Sequence, residues 1–170
     1  MWDAETGMID SWHKYCQKQM KDSFHMLDEK IIFSNAQMTK KDYASKKLSY
    51  PLEPGSTQAY DKIMSILYSE EERHKIEWAI GAVVTGDSKK IDKFLVLYGA
   101  PGTGKGTVLS IIDQLFEGYC SAFEAKALTS TNNAFALEAF KNNPLVAIQY
   151  DGDLSRIADN TKLNSIVSHE

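Results

Sequence analysis

Nine consecutive residues, Gly99 to Thr107, have the composition of an anion-binding loop. The run reads Gly-Ala-Pro-Gly-Thr-Gly-Lys-Gly-Thr. Its glycines lack a Cβ, so several main-chain N–H groups can converge on one phosphate group. Lys105 adds a positive charge that suits the β- and γ-phosphates of a nucleotide. These residue types at this spacing predict phosphate binding.

The segments on either side are those that a P-loop requires. Phe94–Tyr98 is an apolar run typical of a strand, and residues 108–116 have helical apolar spacing. A helix that begins near Gly104 directs its free N–H groups and its positive dipole end at the anion. We therefore predict that the chain binds ATP, a nucleoside triphosphate, together with Mg²⁺. The predicted contacts are Gly99, Pro101, Gly102, Thr103, Gly104, Lys105, Gly106 and Thr107.

One position departs from the P-loop pattern. The pattern places Ser or Thr directly after the lysine, as a ligand of Mg²⁺. Here that residue is Gly106, which has no hydroxyl group, and Thr107 follows it. We predict Thr107 as a metal ligand if the loop shifts, with contact to the α-phosphate as the alternative. Reduced metal affinity or slower hydrolysis is expected.

A second apolar run, Leu145–Tyr150, leads directly into two acidic residues, Asp151 and Asp153. Mg²⁺ prefers carboxylate and water oxygens, and an acid at the end of a strand beside a P-loop is the Walker B arrangement. We predict Asp151 as a metal ligand and Lys105, Asp151 and Asp153 as catalytic residues. Which aspartate holds the metal stays open, and an ordinary strand-to-loop turn is the alternative.

Prolines and glycines divide the chain into three regions. Residues 1–50 are predicted to be a helical N-terminal segment, and residues 51–92 a helical hairpin that leads into the ATPase. Residues 93–170 are predicted to be a partial P-loop ATPase core. Its β-α-β-α-β order predicts an α/β fold, in which a parallel sheet carries helices on both faces.

Local signals fix the expected ends of several elements. Ser69, with Glu72 in capping-box position, opens the second helix of the hairpin, and Gly86 closes it. The other expected elements are a helix from Ile9 to Leu27, a helix capped by Ser56 or Thr57, a strand at 119–123, a helix through Leu137 and Phe140, and a helix at 161–167.

Composition and charge narrow the class of protein. The 170 residues carry a net charge of −4, which does not suggest a dedicated nucleic-acid coat. Cys16 and Cys120 have no metal-ligand spacing and are expected to be buried free thiols. The polar N-terminus is unlike a signal peptide, and no stretch is long enough to cross a membrane, so a cytoplasmic protein is predicted. The lysines at 40, 41, 46 and 47 are interpreted as a solvated face, with a contact to nucleic acid or to a partner as the alternative.

Several of these stretches together resemble the ATPase part of phage and large-virus primase–helicases, which belong to helicase superfamily 3. The similar residues run from about Ile63 to Glu170: Ile76–Gly81, Lys93–Gly99, the P-loop, Asp151–Arg156 and Asp159–Thr161. The resemblance implies an AAA+-like core entered through a small α-helical domain. It also implies ATP-driven movement on single-stranded or forked DNA during replication, as a homo-oligomeric ring, in the host cytoplasm if a phage encodes the chain.

That family also has a sensor asparagine, a DNA-contacting hairpin and a trans-acting arginine beyond the acidic motif. None is evident after Asp153, so a fragment or a naturally short product is expected. A non-catalytic or regulatory nucleotide-binding module that associates with a longer homologue is therefore an alternative. Adenylate kinase, which also has Gly after the lysine, is a weaker one. A kinase needs several arginines, and this chain has only Arg73 and Arg156.

Overall fold

The computed structural model describes residues 6–20, 27–40, 42–87, 90–129, 137–152 and 161–168. In chain order the elements are α1 (Thr6–Met20), α2 (Gln58–Leu67), α3 (Glu70–Thr85), α4 (Lys105–Leu115), β1 (Cys120–Ala122), α5 (Ala125–Thr129), a 3₁₀ turn (Glu138–Phe140), β2 (Val146–Ile148) and α6 (Thr161–Ser168).

The hairpin of α2 and α3 begins and ends where local signals predict. Thr57 is the N-cap residue of α2, although its side chain does not cap the helix main chain. At α3 the capping box is complete, because Ser69 and Glu72 each bond the main-chain N–H of the other. Gly86 ends α3 in the left-handed conformation, with φ +76°. These predictions are confirmed.

The sheet in the described residues has two strands, β1 and β2, which run parallel. Cys120 lies opposite Val146, and Ala122 lies opposite Ile148. The strands predicted at 119–123 and at Leu145–Tyr150 are therefore present, each shorter than expected. In the connection between them, α5 was not predicted. The helix predicted through Leu137 and Phe140, for which Asn132 or Asn133 is the candidate N-cap, appears as a 3₁₀ turn. Its residues before Leu137 lie outside the described part of the chain.

The run Phe94–Tyr98 differs from the prediction, since it is not a strand in this structure. No main-chain hydrogen bond joins it to another described residue. Most of its side chains are exposed, Tyr98 fully at 99%, and only Leu97 packs against the core. A strand is defined and stabilised by pairing with a neighbour. The described residues supply no neighbour here, so the β character of the run is not realised.

One core joins the hairpin, α4 and the sheet. Its members come from every layer: Leu48, Met64, Ile76, Val108, Ile112, Phe116, Tyr119 and Ile148. Residues 27–50 contribute as well, although most of this segment is irregular rather than helical as predicted. The Tyr119 hydroxyl accepts a hydrogen bond from Ile32 N–H and donates one to the Lys46 carbonyl. The Tyr50 hydroxyl donates to the carbonyl of Leu115 at the end of α4.

The helix predicted from Ile9 to Leu27 is present as α1, which spans Thr6–Met20. Leu27 itself is not helical. Trp12, which its apolar helical spacing predicts as a core residue, is 56% exposed, and Met8 and Tyr15 are exposed too. This part of the prediction is wrong, because helical spacing identifies an apolar face but not what covers it. Among the described helices, none is both long and apolar enough to span a bilayer.

Candidate functional site: the glycine loop and helix α4

Residues Gly99–Gly104, which we call the glycine loop, turn directly into α4. Gly102 and Gly104 have φ values of +80° and +81°, a left-handed conformation that glycine adopts without steric cost. Gly104 is the N-cap residue of α4. The first hydrogen bond of the helix runs from Val108 N–H to the Gly104 carbonyl. The N–H groups of residues 105–107 precede that bond and lack an acceptor within the helix.

Lys105 lies folded over the loop. Its ammonium group donates hydrogen bonds of 2.7 Å to the carbonyl oxygens of Gly99 and Ala100. The Thr103 hydroxyl is 3.3 Å from the same nitrogen and donates to the Ala100 carbonyl at 2.9 Å. The ammonium group thus lies on the loop that leads into the free amides of α4. Together they form a positive environment that suits a phosphate group.

A contact that the sequence did not reveal involves Leu67, the last residue of α2. A Cβ added to Gly104 would lie 2.7 Å from both methyl carbons of Leu67. That distance is too short for two carbons, so a side chain at this position would require the end of the Leu67 side chain to shift. The hairpin therefore packs directly against the N-cap of α4. The apolar spacing of α2 predicts Leu67 as a packing residue, but nothing local to the sequence indicates its partner.

Of the predicted metal ligands, Thr107 lies on the first turn of α4 and Asp151 follows β2. Gly106 and Thr107 are exposed on the first turn of α4. Asp151 is exposed beyond the end of β2, and its carboxylate forms no hydrogen bond or ion pair with a described residue. Asp153 lies outside the described residues. Within those residues, no three His, Cys, Asp or Glu side chains are close enough together to hold a metal ion.

The oxygens of Thr107 and Asp151 are too few to bind a metal ion alone, but they suit an ion that a nucleotide also ligates. Two protein oxygens, from Thr107 and Asp151, leave most of an octahedral Mg²⁺ shell to water and phosphate, which is how proteins usually bind this ion with nucleotides. Helix α4 and β2 meet in one core, through Val108, Ile112 and Ile148. The protein thus offers strong groups for phosphate and few for the metal alone.

Other reactive residues are occupied by structural contacts. Arg73 forms ion pairs with Asp61 at 2.5 Å and with Glu77 at 2.6 Å, so both carboxylates are engaged in a contact of the helical hairpin. Burial, followed by the nearby Asp113 carboxylate, raises the pKa of the Cys120 thiol to about 12. Cys120 is therefore unsuited to nucleophilic chemistry. Cys16 and Cys120 are both free thiols, but they are only partly buried.

Comparison with known proteins does not assign the chain to a family. No family model, curated protein or solved structure matches the chain.

Proposed function

We propose that the chain is the nucleotide-binding part of a P-loop ATPase of the primase–helicase type, and that it acts in DNA replication. The observation that carries the proposal is the arrangement at the start of α4. The left-handed Gly102 and Gly104 turn the loop into a helix whose free amides and Lys105 ammonium group lie together. This combination of glycine loop, helix N-terminus and lysine is suited to the β- and γ-phosphates of ATP.

In this proposal Lys105 exchanges partners when ATP binds. Its ammonium group leaves the carbonyls of Gly99 and Ala100 for phosphate oxygens, because hydrogen bonds between two charged groups are the stronger ones. The amides of residues 105–107 contribute further donors. Thr107 and Asp151 are the described residues that would hold Mg²⁺, and the ion would neutralise charge that develops on the phosphates.

Gly106 makes slow turnover the expected property of the isolated chain. It removes the hydroxyl that normally ligates Mg²⁺ directly after the lysine. In the proposed ring, ATP lies between subunits, so a single chain also lacks groups that a neighbour supplies. We therefore propose that hydrolysis depends on homo-oligomerisation, with single-stranded or forked DNA as the partner, in a cytoplasmic setting.

A non-catalytic module is the second candidate, and two observations favour it. Gly106 provides no hydroxyl group, and the apolar run Phe94–Tyr98 is exposed and forms no main-chain hydrogen bonds with described residues. Such a chain would bind ATP without hydrolysing it and associate with a longer homologue. A kinase is less well supported, because Arg73 is held by two carboxylates and is not available for phosphate.

The test measures mass and activity in the same samples. Light scattering after size-exclusion chromatography gives the assembly state with ATP, with single-stranded DNA and with both, and phosphate release is measured in each. Higher-order assembly with DNA-stimulated hydrolysis supports the ATPase. ATP binding is measured by calorimetry on the same protein, and a further sample contains ATP with AMP. ATP binding without hydrolysis in any assembly supports the module, and consumption of AMP with formation of ADP in the further sample would identify a kinase. No binding of ATP would overturn all three.

A further inference from the structure

The end of α2 lies against the residue on which the glycine loop turns into α4. Gly104, at φ +81°, has the δ-carbons of Leu67 so close that an added Cβ would lie 2.7 Å from each, and 3.1 Å from the γ-carbon. A branched apolar side chain thus covers the outer side of Gly104. Leu67 and Gly104 are both partly buried, and a movement of the loop toward the end of α2 would press its main chain against this side chain.

We infer that Leu67 is a positioning residue for the nucleotide site, an inference that rests on the proposed function. Leu67 touches no phosphate. It holds Gly104, and Gly104 sets the direction of the free amides in the first turn of α4 and the starting point of the Lys105 side chain. Electrostatic binding of this kind depends on donors fixed in advance, and misplacement by about 1 Å is costly.

The hairpin gives Leu67 a rigid base. The N–H of Tyr68 closes α2 by donating to the Met64 carbonyl at 2.9 Å, and Met64 is completely buried. Arg73 on α3 also joins Asp61 on α2 at 2.5 Å, an ion pair near the surface that links the two helices. A displacement of the hairpin would therefore reach the phosphate site through Leu67. In this way the helical region preceding the loop sets the affinity for nucleotide.

The first test compares the affinity for Mg²⁺-ATP of the wild-type chain with three variants. Leu67→Ala removes the contact, and Leu67→Met keeps most of its volume. Ile66→Ala is the matched control, because Ile66 is the neighbouring residue on α2 and is 73% exposed. We expect about a tenfold loss of affinity for Leu67→Ala. We expect less than about a twofold change for the other two. Affinity that is kept in Leu67→Met and lost in Leu67→Ala would show that the size of the side chain at residue 67 matters.

A second test keeps the inference testable if Leu67→Ala folds poorly, which thermal unfolding of every variant would reveal. Gly104→Ala should bind ATP at least about tenfold more weakly, because its Cβ meets Leu67. Adding Leu67→Val to Gly104→Ala trims the colliding side chain and should restore part of the loss. Adding Ile66→Ala should restore none. The part that remains reflects the left-handed backbone at residue 104.

The outcomes separate the two claims. If the wild-type chain binds ATP and folded Leu67→Ala binds it equally well, the inference is wrong and the proposed function stands. The same holds if Gly104→Ala binds like wild type. If the wild-type chain does not bind ATP, the proposed function fails, and the positioning role fails with it.

Discussion

The ammonium group of Lys105 donates a 2.7 Å hydrogen bond to the carbonyl oxygen of Gly99, the first residue of the glycine loop. The loop therefore orders its own lysine through main-chain acceptors. Neutral carbonyls are weaker partners for a cation than phosphate oxygens. A lysine held in this way is close to the free amides of α4 and is able to exchange its partners for a nucleotide. The proposed function depends on this relationship.

Replacing Asp28 with Asn should destabilise the fold. Asp28 is only 3% exposed and accepts hydrogen bonds from Ser45 N–H at 2.6 Å, Ser45 hydroxyl at 2.5 Å and Lys46 N–H at 3.3 Å. Asn tolerates the φ of +59° but cannot replace a carboxylate that accepts several bonds. Urea unfolding at pH 7 should show a loss of about 1.5–3 kcal/mol in the free energy of unfolding.

The matched control is Asp92→Asn, since Asp92 also has a positive φ, +47°, but is exposed. It should unfold like the wild-type chain. If both variants lost the same free energy of unfolding, the backbone conformation and not the buried hydrogen bonds would be the cause.

The contribution of Asp28 should also depend on pH. Burial raises the pKa of its carboxyl group, but the hydrogen bonds from Ser45 and Lys46 outweigh burial and hold the pKa below its usual value. A pKa that is lower in the folded chain stabilises the fold above the unfolded value, and this stability is lost as pH falls through the folded value. The difference in unfolding free energy between wild type and Asp28→Asn should therefore shrink below about pH 4. A difference that stays constant down to pH 2 would contradict the assigned hydrogen bonds.

Tyr119→Phe should destabilise the packing of residues 27–50 on the body of the protein. Tyr119 is 1% exposed, and its hydroxyl donates to the Lys46 carbonyl at 2.9 Å and accepts from Ile32 N–H at 3.2 Å. Phenylalanine fills the same space but leaves both main-chain groups unpaired. We expect a loss of about 1–3 kcal/mol, measured by urea unfolding. Tyr98→Phe, at a fully exposed tyrosine, is the control, and an equal loss there would refute this explanation.

Two N-cap residues should respond differently to alanine. The Ser69 side chain accepts from Glu72 N–H at the start of α3, whereas the Thr57 side chain makes no such bond at the start of α2. Ser69→Ala should cost about 1 kcal/mol of the free energy of unfolding. Thr57→Ala should cost less, because only its bond to the Asp61 carboxylate is lost. If thermal unfolding showed the reverse order, side-chain capping would not explain the stability of α3.

Local signals predicted the features that depend on neighbours in sequence. Ser69 and Gly86 mark the ends of α3, and Gly104 marks the start of α4, because capping chemistry acts over three or four residues. The parallel pairing of β1 with β2 agrees with the β-α-β order read from the sequence, and the connection between the strands is long enough for the crossover that parallel strands need.

Contacts between residues far apart in the chain could not be predicted from the sequence. Tyr119 bonds Ile32 across 87 positions, and Leu67 meets Gly104 from another helix. No spacing or composition rule identifies such pairs. The strand expected at Phe94–Tyr98 shows the same limit, since β-propensity is realised only beside a paired neighbour.

The most direct test of the account is a calorimetric titration of Mg²⁺-ATP into three folded chains: wild type, Lys105→Ala and Lys75→Ala. Lys75 is a matched control, because it is an exposed lysine on α3 whose ammonium group pairs with Glu71 at 2.6 Å and not with the glycine loop. We expect wild type and Lys75→Ala to bind with equal affinity and Lys105→Ala to bind at least about tenfold more weakly. Equal affinity of all three chains for ATP, or no binding by the wild-type chain, would contradict the assignment of Gly99–Thr107 as a nucleotide site.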